Sequence, residues 1–259
     1  MSCVTIRNCK IGEGRPKVIV PIVEHTETTI LKRAAEFSTF PADCVEWRAD
    51  CVEWRADWFE DVLKPTALAR CLHGLRTALG EKLLLVTFRT KAEGGELALT
   101  PEQYDAFCAA VCASGCADLL DIEFFPAGER LAELIALAHK ADVKVVCSSH
   151  DFHKTPSCTE LVARMVAMQK AGADLPKLAV MPTCRADVLT LLAATAEMAD
   201  HHPETPVITM SMGALGAVSR LCGEAFGSAM TFANPGTASA PGQVPLDVVN
   251  AVLDSLRIE

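Results

Sequence analysis

Short runs of aliphatic residues alternate with longer stretches of helical periodicity along this chain. The runs Val18–Val23, Cys51–Arg55, Leu83–Thr90, Asp118–Phe124, Val143–Ser149, Leu175–Met181, Val207–Met212 and Met230–Asn234 are rich in aliphatic residues, with few polar positions in most of them. That pattern predicts strands buried on both faces, as in a parallel sheet covered by helices. Helical spacing fills the intervals at Thr28–Phe37, Pro101–Ala113, Leu131–Lys140, Thr159–Lys170, Ala186–Ala199 and Ala217–Phe226, and Pro245–Arg257 follows the last strand. Eight strand–helix units in 259 residues match a (β/α)8 (TIM) barrel spanning 1–259 as one domain. An open doubly wound sheet would want a Gly-x-Gly turn after its first strand, and that strand instead runs into Pro21-Ile-Val-Glu-His25. The segment Cys3–Gly14 reads as a short hairpin closing the barrel bottom.

One departure breaks the rhythm. Asp43–Ala49 (Asp-Cys-Val-Glu-Trp-Arg-Ala) is repeated at once as Asp50–Ala56, and Asp57 follows. Fourteen extended residues would span about 46 Å, too long for a barrel stave. One copy must therefore leave the sheet. Placing the second copy in the strand sends the extra residues to the loop at the barrel bottom, away from the mouth where chemistry sits. Glu53 and Arg55 would then face the mouth, with Glu46 and Arg48 as the other register.

Composition narrows the function. Half the residues are apolar, 5% are aromatic and the net charge is −9, which argues against a nucleic-acid backbone as partner. The sequence shows no charged-then-apolar leader and no run long enough to span a bilayer, so a cytoplasmic location is expected. The 12 cysteines read as free thiols in such a setting. Cys108, Cys112 and Cys116 share one helix face as small buried hydrophobes, with no His or Cys pair nearby to complete a metal site. His201 and His202 read as a solvated helix end before Pro203.

Ionisable residues gather where the strands end. Lys177 stands alone in the apolar run Leu175–Pro182. A buried ammonium must be paired or neutral, and a neutral lysine can condense with a carbonyl; a strand-end lysine snorkelling to water is the plain reading. Glu53 and Arg55 alternate with Trp54, which places the charged pair on one face, as a pocket wall or a structural salt bridge. Arg89 ends the third strand, ahead of Lys91–Glu96 with its double glycine, which reads as a mobile loop. Asp121 and Glu123 share a face of the fourth strand as charge partners for Lys177 or an arginine. His150 sits at the tip of the fifth strand, and His153 follows in the loop. Histidine carries protons near neutral pH. Arg220 after the seventh strand suits a carboxylate, and Ser239 and Gln243 lie on a loop after the eighth.

In their order and spacing these segments resemble the type I 3-dehydroquinate dehydratases, the Schiff-base class of the shikimate pathway, over essentially the whole chain. The segments are Glu53–Asp57, Thr87–Glu96, Asp121–Phe124, Ser149–Pro156, Pro176–Pro182, Ile208–Met212, Ser219–Arg220 and Ser239–Gln243. The resemblance implies that 3-dehydroquinate is dehydrated to 3-dehydroshikimate. It implies Lys177 as the imine-forming lysine, His150 as the general base and acid, and Glu93 as the carboxylate that orients it. It implies Arg220 as the partner of the substrate carboxylate, Ser239 and Gln243 as lid contacts, Glu53, Arg55 and Arg89 around the ring hydroxyls, and Met212 and Phe232 as apolar walls. It also implies a homodimer without metal or organic cofactor. Ser149 stands where the family often has asparagine, and Pro21-Ile22 where some members have serine. A class I aldolase or transaldolase would share the lysine chemistry, and the duplication raises a third reading, a catalytically impaired barrel.

Overall fold

The computed structural model describes residues 2–39, 49–236 and 238–258. Among these, eight parallel staves follow one another round a barrel: β3 (Lys17–Ile22), β4 (Cys51–Arg55), β5 (Leu83–Thr87), β6 (Leu119–Glu123), β7 (Lys144–Asp151), β8 (Leu175–Val180), β9 (Ile208–Ser211) and β10 (Met230–Asn234). β10 pairs back onto β3, with Phe232 opposite Ile19. A parallel bridge between Val207 and Ser228 joins the last two staves at their lower ends. The helices α1 (Glu27–Ser38), α2 (Pro65–Leu79), α3 (Pro101–Ser114), α4 (Phe124–Ala127), α5 (Leu131–Lys140), α6 (Cys158–Lys170), α7 (Arg185–His201), α8 (Gly213–Leu221) and α9 (Leu246–Ser255) surround them, and β11 (Val244–Pro245) adds a short strand beside β10. α1, α3 and α6 begin with capping boxes at Thr26, Thr100 and Ser157, which satisfy backbone N–H groups that a helix start leaves unpaired.

Two apolar layers result from the alternation of each stave. Val52, Trp54, Leu84, Val86, Leu120, Ile122 and Leu178 face the helices. Cys51, Leu83, Leu85, Leu119, Val146, Leu175 and Ile208 fill the barrel's lower interior. The hairpin β1 (Val4–Ile6) and β2 (Cys9–Ile11) adds Ile6 and Ile11 to that inner layer and so closes the bottom. Arg7 at its turn donates to Asp118 at 2.6 Å, and Asp118 also accepts from Arg76 and from the Leu84 N–H.

The second copy of the repeat forms the stave. Trp54 is fully buried among the helices, and its loss would cost about 3–5 kcal/mol. That anchor fixes the register, because a slip by one residue would turn it into the mouth. Glu46 and Arg48 lie outside the described residues.

Some boundaries differ from the sequence expectation. β5 ends at Thr87, and Arg89 and Thr90 turn aside to meet acidic groups of β6. β7 runs on through His150 to Asp151 because β8 pairs with it that far. The stretch expected as one helix from Ala217 to Phe226 is α8, starting at Gly213, and then a separate 3-10 turn at Gly223–Phe226. Cys108, Cys112 and Cys116 are buried in the outer apolar layer, where burial pushes the Cys108 and Cys112 thiols up. No helix among the described residues is long and apolar enough to cross a membrane.

Candidate active site

The upper half of the barrel interior is polar. Lys177, on β8, is 3% exposed, so its side chain does not snorkel to water. Its Nζ lies 3.1 Å from Asp121 Oδ2, 4.0 Å from Glu53 Oε1 and 4.6 Å above the Phe232 ring. A buried ammonium and a buried carboxylate offset each other's desolvation at this distance. Burial alone would raise the Asp121 pKa, but Arg89 and Lys177 overcome it and hold the group at about 2.

Beside the lysine, Arg89 gathers the neighbouring acidic groups. Its guanidinium donates to Glu123 at 2.7 Å, Asp121 at 2.9 Å and the Ser148 hydroxyl at 2.9 Å. The Ser148 hydroxyl in turn donates to Asp121 Oδ1, and Thr90 donates through both N–H and hydroxyl to Glu123. Arg89 lines the cavity, yet its charge is already matched by protein carboxylates. Arg55 is similarly engaged by Asp57, with bonds of 2.8 and 2.7 Å. Asp57 also accepts from the backbone N–H groups of Arg89 and Glu96. It thereby ties β4 to the loop carrying Glu93, a connection absent from the sequence reading; its only signal was a buried-type acid directly after Glu-Trp-Arg-Ala.

On β7, His150 lies two positions beyond Ser148, which pairs with Lys177 across the sheet. Glu93 Oε2 lies 3.0 Å from the His150 backbone N and 2.8 Å from Nδ1. One oxygen accepting from both nitrogens places the imidazole proton on Nδ1 and leaves Nε2 with its lone pair. Burial first, then the charges of Arg89, Lys177 and Arg55, hold the His150 pKa well below its ordinary 6.5. The ring is therefore a neutral base at pH 7. Burial pushes the Glu93 carboxyl up, while Arg89 and the His150 backbone N–H favour the carboxylate that accepts from Nδ1.

The loop around Glu93 is pinned rather than free, contrary to the reading of its two glycines. A Cβ on Gly95 would lie 1.8 Å from the Arg89 carbonyl oxygen, and one on Gly94 would meet Phe152 at 2.4 Å. Gly94 also adopts φ 85°. Close approach requires both glycines. Phe152 stacks over His150, with centroids 6.5 Å apart.

Arg220 differs from the other arginines. It is 1% exposed and has no acidic partner among the described residues. Its guanidinium reaches Met210 Sδ at 3.3 Å and the Pro241 carbonyl at 3.3 Å, and Nε is unpaired. Burial alone lowers its pKa to about 10. Above it, Ser239 and Gln243 bond to each other at 2.8 and 3.0 Å. A cavity of about 140 Å³ is bounded by Glu53, Arg55, Arg89, Glu93, His150, Lys177, Met212, Arg220, Phe232, Ser239 and Gln243. Every site residue expected within the described segments lines it. His153 is exposed in the following loop, and Ser149 faces outward to Arg164.

A barrel with a buried lysine, a histidine bonded to a carboxyl group and an unmatched arginine round one small cavity has the make-up of a barrel enzyme. The model of the type I 3-dehydroquinase family matches residues 18–259. A 3-dehydroquinate dehydratase of Clostridioides difficile is 44% identical over 98% of this chain and 97% of its own length. One from Salmonella agona is 43% identical over 99% of both chains. The crystal structure of the type I enzyme of Clostridium difficile, with covalently modified comenic acid, superposes with a TM-score of 0.92 at 43% identity over 98% of each chain. That of the Geobacillus kaustophilus enzyme gives 0.92 at 38% identity, over 98% of this chain and 96% of that one. The chain belongs to the type I 3-dehydroquinase family and is a hydro-lyase.

Proposed function

We propose that this enzyme converts 3-dehydroquinate to 3-dehydroshikimate through an imine on Lys177. The observation that carries the reading is one cavity shared by Lys177, the His150–Glu93 pair and Arg220. The Lys177 nitrogen attacks the C3 ketone, two of the ammonium's three protons pass to the carbonyl oxygen, which leaves as water, and the third stays on the nitrogen as a protonated imine. The iminium draws electrons from C2. His150 Nε2 removes a C2 proton, and the electron pair of that C–H bond becomes the C2–C3 double bond of an enamine. The enamine electrons then expel the C1 hydroxyl, which takes the proton from His150 and departs as a second water. One water hydrolyses the imine and frees Lys177.

Arg220 supplies the substrate carboxylate with a charge that nothing else in the described site matches. Glu93 holds the tautomer of His150. Glu53, Arg55 and Arg89 meet the ring hydroxyls, while Met212 and Phe232 cover the apolar ring edge. Ser239 and Gln243 close over the top. The Clostridium difficile relative was crystallised with covalently modified comenic acid, which is in keeping with covalent chemistry in such an enzyme. A homodimer in the cytoplasm belongs to the same reading. The test is incubation with 3-dehydroquinate while following ultraviolet absorbance. The reading expects the rise of an enone; no rise, or cleavage of a sugar phosphate instead, would contradict it.

A further inference from the structure

A second cavity touches the same histidine and carboxylate. It is about 460 Å³ and bounded by Thr90–Glu93, Ala98–Pro101, Tyr104, Phe125, Pro126 and His150. Among the described residues, the two cavities share Glu93 and His150 and no others. Lys91, Ala92, Ala98, Thr100 and Phe125 are exposed, so this cavity opens to solvent on one flank of the mouth, among the segments that follow β5 and β6, away from Lys177, Ser239 and Gln243. Glu93 is 4% exposed, and its Oε1 has no hydrogen-bond partner while Oε2 holds His150. A buried carboxyl oxygen left unpaired costs stability unless water or another donor reaches it. The cavity far exceeds the roughly 10–15 Å³ that one water needs, and Thr90, Thr100 and Tyr104 give its walls polar groups.

The proposed chemistry makes a demand that the mouth meets poorly. Each turnover releases water at imine formation and again at elimination, and takes one up at hydrolysis. Throughout, the ring stays bonded to Lys177 under Ser239 and Gln243. We propose that the flank cavity is the water and proton port of the His150–Glu93 pair, through which the pair exchanges with solvent while the ring occupies the mouth. The proposal rests on the imine reading and concerns only how water reaches it.

The test plugs the port at its rim with Ala98→Phe and widens it with Phe125→Ala, both at exposed positions. Turnover is run in D₂O, deuterium at C2 of recovered 3-dehydroquinate is measured against product formed, and the imine is trapped separately with borohydride. Exchange puts deuterium on His150, and reprotonation of the enamine returns it to C2. In Ala98→Phe, C2 deuteration per turnover and kcat should both fall severalfold with trapping unchanged, and in Phe125→Ala deuteration should rise. Wild-type exchange and kcat in both variants overturn the port. So does a plug that lowers trapping as much as turnover, since it then acts through the mouth. A wild-type protein that forms neither adduct nor product overturns the functional reading itself, and is distinguished by that result.

Discussion

Replacing Arg220 with methionine removes a buried cation that no acid of the described site neutralises. Burial lowers its pKa from the ordinary 12.5 to about 10. At about 1.4 kcal/mol per pH decade, that depression corresponds to roughly 3 kcal/mol of penalty on the charged form. A base with a depressed folded pKa carries this penalty in full below that pKa, hence at pH 7, and sheds it only as pH rises past about 10. Methionine gives up the bond to the Pro241 carbonyl and the contact with Met210, so the net gain should be smaller, about 1–3 kcal/mol. In a domain of this size each 1 kcal/mol moves Tm by about 2–4 °C. The same change leaves the substrate carboxylate without its partner, a loss of about 3–5 kcal/mol for a buried pair, or at least about a hundredfold in KM. Calorimetry of the free protein and steady-state kinetics read the two effects. A variant with lower Tm than wild type, or with unchanged KM, refutes the claim that Arg220 is held unmatched for an anion.

His150→Ala should still form the reducible adduct with 3-dehydroquinate but turn over about 10²–10⁴ times more slowly; a wild-type rate would direct attention to His153. Because burial and three cations depress the His150 pKa, activity should be lost only as pH falls below 6.5. An acid limb of kcat/KM above that value would show that the histidine is not held neutral. Glu53→Ala should weaken activity, while Glu46→Ala should leave it near wild type; the reverse result would move the first copy of the repeat into the stave.

The staves were legible because strands covered on both faces read as continuous apolar runs, and a lone lysine in such a run stands out. Trp54 between Glu53 and Arg55 gave the orientation of β4 by alternation. The pairings inside the mouth were less legible. Arg89 meets Glu123 and Ser148 across neighbouring staves, and such partners depend on barrel stagger rather than on sequence spacing. Asp57 was hidden because its partners, the N–H groups of Arg89 and Glu96, are backbone and leave no mark in the sequence. The start of α8 is not marked in the sequence because Met212 at its N-cap offers no side-chain oxygen to signal it. The two glycines beside Glu93 looked like freedom and are packing, since only the fold brings Arg89 and Phe152 against them.

Borohydride reduction in the presence of 3-dehydroquinate, followed by peptide mass spectrometry, tests the central claim most directly. One reduced adduct per chain should appear on Lys177 and be absent from Lys177→Ala, which should also form no product. Product formed without any adduct, or an adduct on another lysine with Lys177→Ala still active, would contradict the account.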